Sequence, residues 1–200
     1  MFTTQINLPA SDRAQLVDLL NQQLADLTDL ASQTKQAHWN VRGRHFYQFH
    51  KLFEELAAVV ETHLDELAER IATLGGYARG TVRDAAQNSR LENFPAEQGD
   101  DQGYVDVLSG RFAACANEIR LAIAAADELD DATTADLLTA ISRGLDKSLW
   151  FLEAHLRSPQ DSAGADTSSD NGATAETRPA RRATPGAARP QSKPPRRTRA

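Results

Sequence analysis

Apolar residues recur at every third or fourth position along four stretches of the chain, which is the spacing that puts them on one face of an α-helix. The four stretches cover residues 11–38, 45–74, 102–129 and 133–156. Ser11 is a candidate N-cap for the first helix. Gly75 and Gly76 follow the second helix, and glycine readily adopts the left-handed conformation that ends a helix. The pattern predicts an all-α fold with four long helices.

The segment between the second and third helices is long, because residues 75–100 contain no apolar pattern of bundle length. A connection of this length can carry the chain from one end of a helical bundle to the other. A short helix is expected within it, in the sequence VRDAAQNSRL. The predicted architecture is therefore a four-helix bundle with a long crossover between the second and third helices.

The second helix carries two pairs of candidate metal ligands, each pair spaced by four residues. His50 and Glu54 form one pair, and Asp65 and Glu69 form the other. Side chains four residues apart lie above one another on a helix. His38 adds a nitrogen donor from the end of the first helix. Carboxylates and imidazoles without a thiolate suit iron or manganese, and zinc is also possible.

The two pairs cannot hold one ion within a single chain. Asp65 lies fifteen residues after His50, which is roughly 22 Å along the helix and about 60° around it. Either the helix carries two incomplete half-sites, or a second copy of the chain supplies the missing half. A two-fold dimer with antiparallel helices would bring the two histidines and Glu54 of one copy opposite Asp65 and Glu69 of the other. This composite site is the working hypothesis.

Each candidate ligand also has a simpler interpretation, because His and Glu on a long amphipathic helix are commonly solvated or hydrogen-bonded residues. His45 and His63 fit neither spacing and are expected to be surface or packing residues. Cys115 lies in the sequence RFAACANEIRLAI and is expected in the core, with a reactive thiol as the alternative. A single cysteine excludes an intrachain disulfide.

Charge divides the chain into two parts. Residues 1–157 contain 14 lysines and arginines against 24 aspartates and glutamates, a net charge of −10, whereas residues 158–200 contain 8 against 4, a net charge of +4. The N-terminal sequence MFTTQINLPASDR lacks the charged start and apolar run of a secretory signal, and no apolar stretch reaches the length of a membrane span. We expect an acidic helical domain, residues 1–157, with a basic tail, in a soluble cytoplasmic protein.

The tail, residues 158–200, holds six of the eight prolines and almost no large apolar side chain, so it is predicted to be disordered. After Glu176 every charged side chain is basic. These side chains are Arg178, Arg181, Arg182, Arg189, Lys193, Arg196, Arg197 and Arg199. A mobile arm with such cations can contact DNA phosphates without reading bases. Alternatively, the tail only solubilises the protein or is a dispensable extension.

Four motifs, in this order along the chain, carry a resemblance to a known family. They are HWNVRG at residues 38–43, HKLFEEL at 50–56, HLDELAERIATLGG at 63–76 and LDKSLWFLEAHL at 145–156. Over residues 10–157 the chain resembles Dps, the DNA-binding protein from starved cells, which is a ferritin-like family. The resemblance implies a ferritin-like bundle that assembles into a hollow shell of twelve subunits. It also implies oxidation of iron from Fe2+ to Fe3+, preferentially with hydrogen peroxide, and storage of the ferric product as mineral.

The resemblance also implies a place for the metal centre, because the ligands of that family lie between subunits related by a two-fold axis. The positions that match the family pattern are His38, His50, Asp65 and Glu69. The family usually has Asp where this chain has Glu54, or Glu55 if the turn shifts. This departure implies a second iron position that is weaker or differently shaped. Some relatives use a basic tail to bind DNA.

Two further features take a functional interpretation from the resemblance. Acids at the turn before the last helix are often caps, but similar shells admit iron through acidic pores near this turn. Asp127, Asp131 and Asp136 would line such a pore and concentrate cations. Trp39 directly follows His38; a large aromatic at an interface usually packs, and the alternative is that Trp39 intercepts radicals formed during iron oxidation.

The sequence therefore favours an iron-oxidising storage protein that consumes hydrogen peroxide and protects DNA from oxidative damage. Non-specific DNA binding by the tail would make it nucleoid-associated. The alternative is a structural DNA-compacting protein with a vestigial metal site. A di-metal oxidase acting on an organic substrate is a third option, for which the sequence offers no evident pocket.

Overall fold

The computed structural model describes residues 1–95 and 99–156 of the chain. The predicted tail and the predicted boundary at residue 157 lie outside the described residues. Helices account for most of the described chain, which contains no strand. The prediction of an all-α fold is confirmed.

Five helices follow one another along the described chain. They are α1 (Ala10–Asn40), α2 (Phe46–Thr73), α3 (Val82–Asn88), α4 (Asp101–Glu128) and α5 (Ala132–Leu156). The four long helices begin and end within two residues of the predicted bounds. The short α3 lies in the crossover between α2 and α4, where a short helix was expected.

The start of α1 differs from the prediction. Pro9, and not Ser11, is the residue that precedes the first helical turn, and its backbone is extended at φ −52° and ψ 143°. Ser11 lies inside the helix, where its hydroxyl donates to the neighbouring Asp12 carboxylate. The prediction of Ser11 as an N-cap is wrong because proline, whose fixed φ suits a helix start, begins the helix two residues earlier.

The bundle consists of two helical hairpins. α1 packs mainly along α2, α4 packs mainly along α5, and the hairpins meet chiefly through α1 and α4. Burial of apolar side chains from all four long helices drives this packing. The largest fully buried side chains include Phe53 of α2, Phe112 of α4 and a row of leucines on α1. Cys115 is buried in this core, as predicted, and burial raises the pKa of its thiol.

Buried polar side chains on α1 fix the crossover to the bundle. Asp26 is 3% exposed and accepts hydrogen bonds from the backbone and guanidinium of Arg90. Asn21 donates to the carbonyl of Tyr77 and accepts the backbone N–H of Arg79. Gln33 donates to the carbonyl of Glu92. Because unpaired polar groups are costly to bury, these contacts hold the crossover in one path across α1.

As predicted, α2 is followed by a glycine with a left-handed backbone conformation. Gly75 has a φ of +83°, and its carbonyl accepts the N–H of Phe2 at 2.6 Å. A side chain at this position would lie 2.5 Å from the Phe2 carbonyl oxygen. Both the conformation and this close approach favour glycine. Among the residues that the structure describes, no helix has the length and apolar composition needed to cross a membrane.

Candidate metal centre

The short turn between α1 and α2 brings His38 and His50 together. His38 lies in the last turn of α1 and His50 in the second turn of α2. Their rings stack with centroids 3.9 Å apart and planes inclined by 19°. Two residues twelve positions apart therefore form one compact pair.

Reciprocal hydrogen bonds fix the orientation of both rings. His38 Nδ1 lies 2.8 Å from the His50 carbonyl oxygen, and His50 Nδ1 lies 2.9 Å from the His38 carbonyl oxygen. A carbonyl only accepts, so each Nδ1 carries the hydrogen. The His38 carbonyl is in the last turn of its helix, where no helical N–H is available to it. The contact from His50 satisfies that group.

This arrangement suits metal binding. When Nδ1 carries the hydrogen in a neutral imidazole, Nε2 holds the lone pair that binds a metal ion. Histidines that bind metals commonly donate the other ring N–H to a carbonyl, which fixes the ring. Both His38 and His50 meet this condition, so the donor set fits an ion such as iron.

Glu54 contacts His38 within one chain. Its Oε2 lies 2.9 Å from His38 Nε2, and Lys35 Nζ donates to both carboxylate oxygens at 3.1 and 2.9 Å. The hydrogen bond from Lys35 lowers the pKa of Glu54, although partial burial opposes this shift. The contact with Nε2 is attractive only while that atom carries a proton. A metal ion at His38 would take the place of this proton.

Lys35 was missed in the sequence. It stands three residues before His38 and nineteen before Glu54, so no spacing on one helix connects it with the carboxylate. Only the packing of α1 against α2 reveals the contact. The signal available in the sequence was its place one turn from a candidate ligand on the same helical face.

Asp65 and Glu69 are exposed and stand apart from this cluster. Neither side chain makes a hydrogen bond or ion pair with another of the described residues. They share the exposed face of α2 with Glu54, because eleven residues return the helix to within about 20° while advancing it about 16 Å. Within residues 1–95 and 99–156, no three His, Cys, Asp or Glu side chains are placed to hold a metal ion. One chain therefore brings His38 next to His50 and next to Glu54, without a complete site, and leaves the second pair apart.

The aromatic residues near the histidine pair are largely exposed. Trp39 is 67% exposed, Phe46 is 45% exposed and Tyr47 is 68% exposed. Phe46 also stacks on the His50 ring, with centroids 5.2 Å apart. A cluster of exposed aromatics is typical of a surface that contacts another protein. The role of Trp39 as a radical interceptor stays a prediction.

Asp131, a predicted pore residue, has its carboxylate in contacts within its own chain. Its side chain is 5% exposed and pairs with Arg70 Nη2, with Oδ1 and Oδ2 at 2.9 and 2.7 Å. It also accepts the backbone N–H of Thr134 and so caps α5. The capping interpretation therefore applies to Asp131, whose carboxylate is engaged within its own chain. Asp127 and Asp136 are exposed, and their place in a pore stays a prediction.

The other two histidines of α2 and its preceding turn are surface and packing residues, as expected. His45 is exposed, and its Nδ1 lies 3.3 Å from Asp101 Oδ2. His63 is largely buried against α5, and a side chain at Gly144 would lie 2.1 Å from its Nε2. That atom has no hydrogen-bond partner among the described residues.

Comparison with known proteins identifies the family. A family model for the ferritin-like domain matches residues 17–160. The DNA protection during starvation protein of Agrobacterium fabrum is 42% identical over 154 residues, which cover 77% of this chain and 95% of the relative. The protein with the same name from Mycolicibacterium smegmatis is 32% identical over 78% of this chain and 86% of its own length.

Solved structures agree with these matches. The Dps protein of Mycobacterium smegmatis superposes with a TM-score of 0.76 at 31% identity, covering 80% of this chain and 96% of that one. The Dps protein of Vibrio cholerae O1, described as a member of a broad superfamily of ferritin-like diiron-carboxylate proteins, gives 0.73 at 27% identity over 78% and 98%. The fold, the four matching motifs and these relatives together show that this chain belongs to the Dps family of ferritin-like proteins.

Proposed function

We propose that the protein oxidises Fe(II), which is its substrate, and stores the Fe(III) product inside a shell of identical subunits. Hydrogen peroxide is the oxidant in this proposal. The observation that carries it is the His38–His50 pair, whose Nδ1 atoms are both engaged by backbone carbonyls. Two imidazoles fixed in this way, next to the carboxylate of Glu54, supply one half of a metal site.

A second copy of the chain supplies the other half. In two antiparallel copies of α2, the residue numbers of any two opposing residues add up to the same sum. His50 opposite Glu69 and Glu54 opposite Asp65 give the same sum, so one alignment of the two helices produces both pairings. The centre of that register falls between Val59 and Val60, next to the exposed and small Ala58 and Thr62, which allow helices to approach closely.

Each ligand has a distinct part in the proposed reaction. His38 and His50 bind iron through nitrogen, Asp65 bridges two iron positions, Glu69 is a terminal ligand, and Glu54 supports the second ion. One hydrogen peroxide accepts two electrons and two protons, its O–O bond breaks, and two water molecules form. Two Fe(II) ions supply one electron each. Because the two electrons are taken together, no hydroxyl radical is released.

Entry and storage of iron follow from assembly. Asp127 and Asp136 are exposed near the start of α5, and three copies around an axis would form an acidic ring that concentrates cations. A shell of twelve subunits, as in similar proteins, would enclose the mineral. Trp39, adjacent to a ligand, would intercept radicals formed by iron that is oxidised one electron at a time.

The tail connects the shell to DNA in this proposal. The relatives from Agrobacterium fabrum and Mycolicibacterium smegmatis are named for DNA protection during starvation. The basic side chains after Glu176 would contact phosphates without base specificity. Many arms on one shell would add their weak contacts at high effective concentration. A cytoplasmic, nucleoid-associated protein would result.

A structural DNA-compacting protein with a vestigial metal site is the second candidate. The observation that favours it is the Lys35–Glu54 pair. The Lys35 ammonium group already donates hydrogen bonds to the Glu54 carboxylate, which would otherwise support a second ion. In this case the histidine pair would only connect α1 to α2.

The test is anaerobic loading of the full-length protein with Fe(II), followed by peroxide at one molecule per two Fe(II), with absorbance and particle size recorded together. The proposal predicts rapid oxidation and a soluble, iron-filled particle of shell size. Asp65→Ala combined with Glu69→Ala should abolish the fast phase. Asp12→Ala combined with Asp18→Ala removes the same charge from α1, at one half-buried and one exposed position, and should not.

Oxidation no faster than in buffer, or iron that precipitates outside the protein, would move the DNA-compacting candidate to first place. Unchanged rates in the Asp65→Ala, Glu69→Ala variant would show that these residues are not the ligands.

A further inference from the structure

We infer that Asp101 is a positioning residue for the histidine pair, because its carboxylate holds the turn that joins α1 to α2. This inference rests on the proposed function, in which the pair binds iron. Asp101 is the first residue of α4 and lies far from His38 and His50 in the sequence. It belongs to the other helical hairpin.

The carboxylate of Asp101 is used by the turn. Its Oδ2 accepts the backbone N–H of His45 at 2.7 Å and lies 3.3 Å from His45 Nδ1. The residue is 7% exposed. The His45 N–H lowers the pKa of Asp101 although burial opposes the shift, so the charged form accepts this hydrogen bond.

Gly43 is shaped to receive this carboxylate. Its φ of +143° lies in the region that favours glycine. A Cβ atom at this position would lie 2.6 Å from Asp101 Cγ and 2.7 Å from Oδ2. The carboxylate therefore packs directly against the Gly43 backbone, and a larger residue there would have to displace it. The Gly43 carbonyl in turn accepts the N–H of Phe46, which begins α2.

The turn passes this constraint to the histidines. Residues 41–45 form the whole connection between α1 and α2. Phe46, the next residue, stacks on His50, and the His45 ring lies edge-on to Phe49 at 5.8 Å. Because His38 and His50 are bonded to each other's backbone, any shift of the turn changes both rings together.

The simpler role for an acid at this position is to cap α4 or to complement its dipole. The cap is supplied by the preceding residue, because Asp100 Oδ1 accepts the N–H of Gly103 at 3.0 Å. Asp101 directs its carboxylate to the turn instead. Asp100 is therefore a matched control that alters the start of α4 without touching the turn.

The experiment compares Asp101→Ala, Asp101→Asn and Asp100→Ala in the full-length protein. For each we would measure KM and kcat for peroxide-dependent Fe(II) oxidation and solve the metal-free crystal structure. Asp101→Ala should raise KM for Fe(II) about 10-fold, which is typical of losing a group that orients a ligand, and should separate the stacked rings. Asp101→Asn should restore most of the affinity because its amide oxygen still accepts the His45 N–H. Asp100→Ala should keep the wild-type KM.

If Asp101→Ala fails to fold, Gly43→Ala tests the same contact, because the added methyl group would push the Asp101 carboxylate away from the turn. It should raise KM in the same way. A wild-type KM with an unchanged ring stack in Asp101→Ala or Gly43→Ala would overturn the inference, and so would an equal loss in Asp100→Ala. Slow iron oxidation by the wild-type protein would refute the proposed function instead. The ring geometry of the metal-free variants would still decide the positioning role.

Discussion

Replacing Arg70 with alanine tests how the end of α2 is fixed to the start of α5. Arg70 Nη2 donates to both oxygens of Asp131, and Arg70 Nε donates to the Thr134 hydroxyl. The two charged side chains are 14% and 5% exposed. Arg70→Ala leaves the Asp131 carboxylate buried without its cation.

The expected loss is large because a buried charge without its partner typically costs about 3–5 kcal/mol. Asp131 keeps its bonds from Thr134, which places the expectation at the lower end of that range. The matched control is Arg79→Ala, since Arg79 and its partner Asp18 are 54% and 77% exposed. An exposed pair contributes about 1 kcal/mol or less.

The assay is urea unfolding of the full-length variants followed by circular dichroism. Protein concentration must be the same throughout, because any assembly of copies would add to the apparent stability. An Arg70→Ala loss below about 1 kcal/mol, the value expected for an exposed pair, would refute the reasoning. An equal loss in Arg79→Ala would also refute it.

The same pair predicts a pH dependence. Burial raises the pKa of Asp131, but hydrogen bonds from Thr134 and Arg70 lower it by a larger amount. The pKa of Asp131 in the folded protein therefore lies below its ordinary value of 3.8. A carboxyl with a lowered pKa in the folded state contributes stability above its unfolded pKa and loses it as pH falls through the folded pKa. The difference between wild type and Arg70→Ala should therefore shrink in acid. A difference that grows as pH falls below 4 would contradict this assignment.

Two further predictions concern the site and the tail. Lys35→Met removes the ammonium group that contacts Glu54, so Glu54 becomes free to bind a second ion. The number of Co(II) or Fe(II) ions bound per chain in an anaerobic titration should therefore increase. An unchanged number of bound ions would show that Lys35 does not limit metal occupancy. A chain ending at Leu156 should keep the rate of iron oxidation but lose retardation of DNA in gels at low salt, since it lacks the basic tail. Retardation that survives this truncation would assign DNA contact to the helical domain.

The helices were predictable because their apolar residues are spaced so that they lie on one helical face. The bundle buries that face of each long helix. Phe53 of α2 and Phe112 of α4 are both fully buried. The start of α1 was less predictable, because a candidate cap at Ser11 competed with Pro9. Buried polar residues of α1, such as Asp26, follow no apolar period, since their partners lie in the crossover.

The candidate site was predictable only in part. The four-residue spacing on α2 identified His50 with Glu54, and the helix end identified His38. Their reciprocal hydrogen bonds depend on the packing of two helices, as does the contact of Lys35 with Glu54. Asp131 could not be separated from other acids of its turn, because its partner Arg70 is sixty-one residues away.

Mixed assemblies of two inactive variants test the composite metal centre most directly. One variant carries His38→Ala and His50→Ala, the other carries Asp65→Ala and Glu69→Ala, and the two are expressed together with different tags. A two-fold dimer of one of each has one intact centre, so random mixing should restore about a quarter of the wild-type number of centres. Peroxide-dependent Fe(II) oxidation at that level, with none in either variant alone, is the predicted result. A mixture as inactive as its components would contradict a centre shared between two subunits.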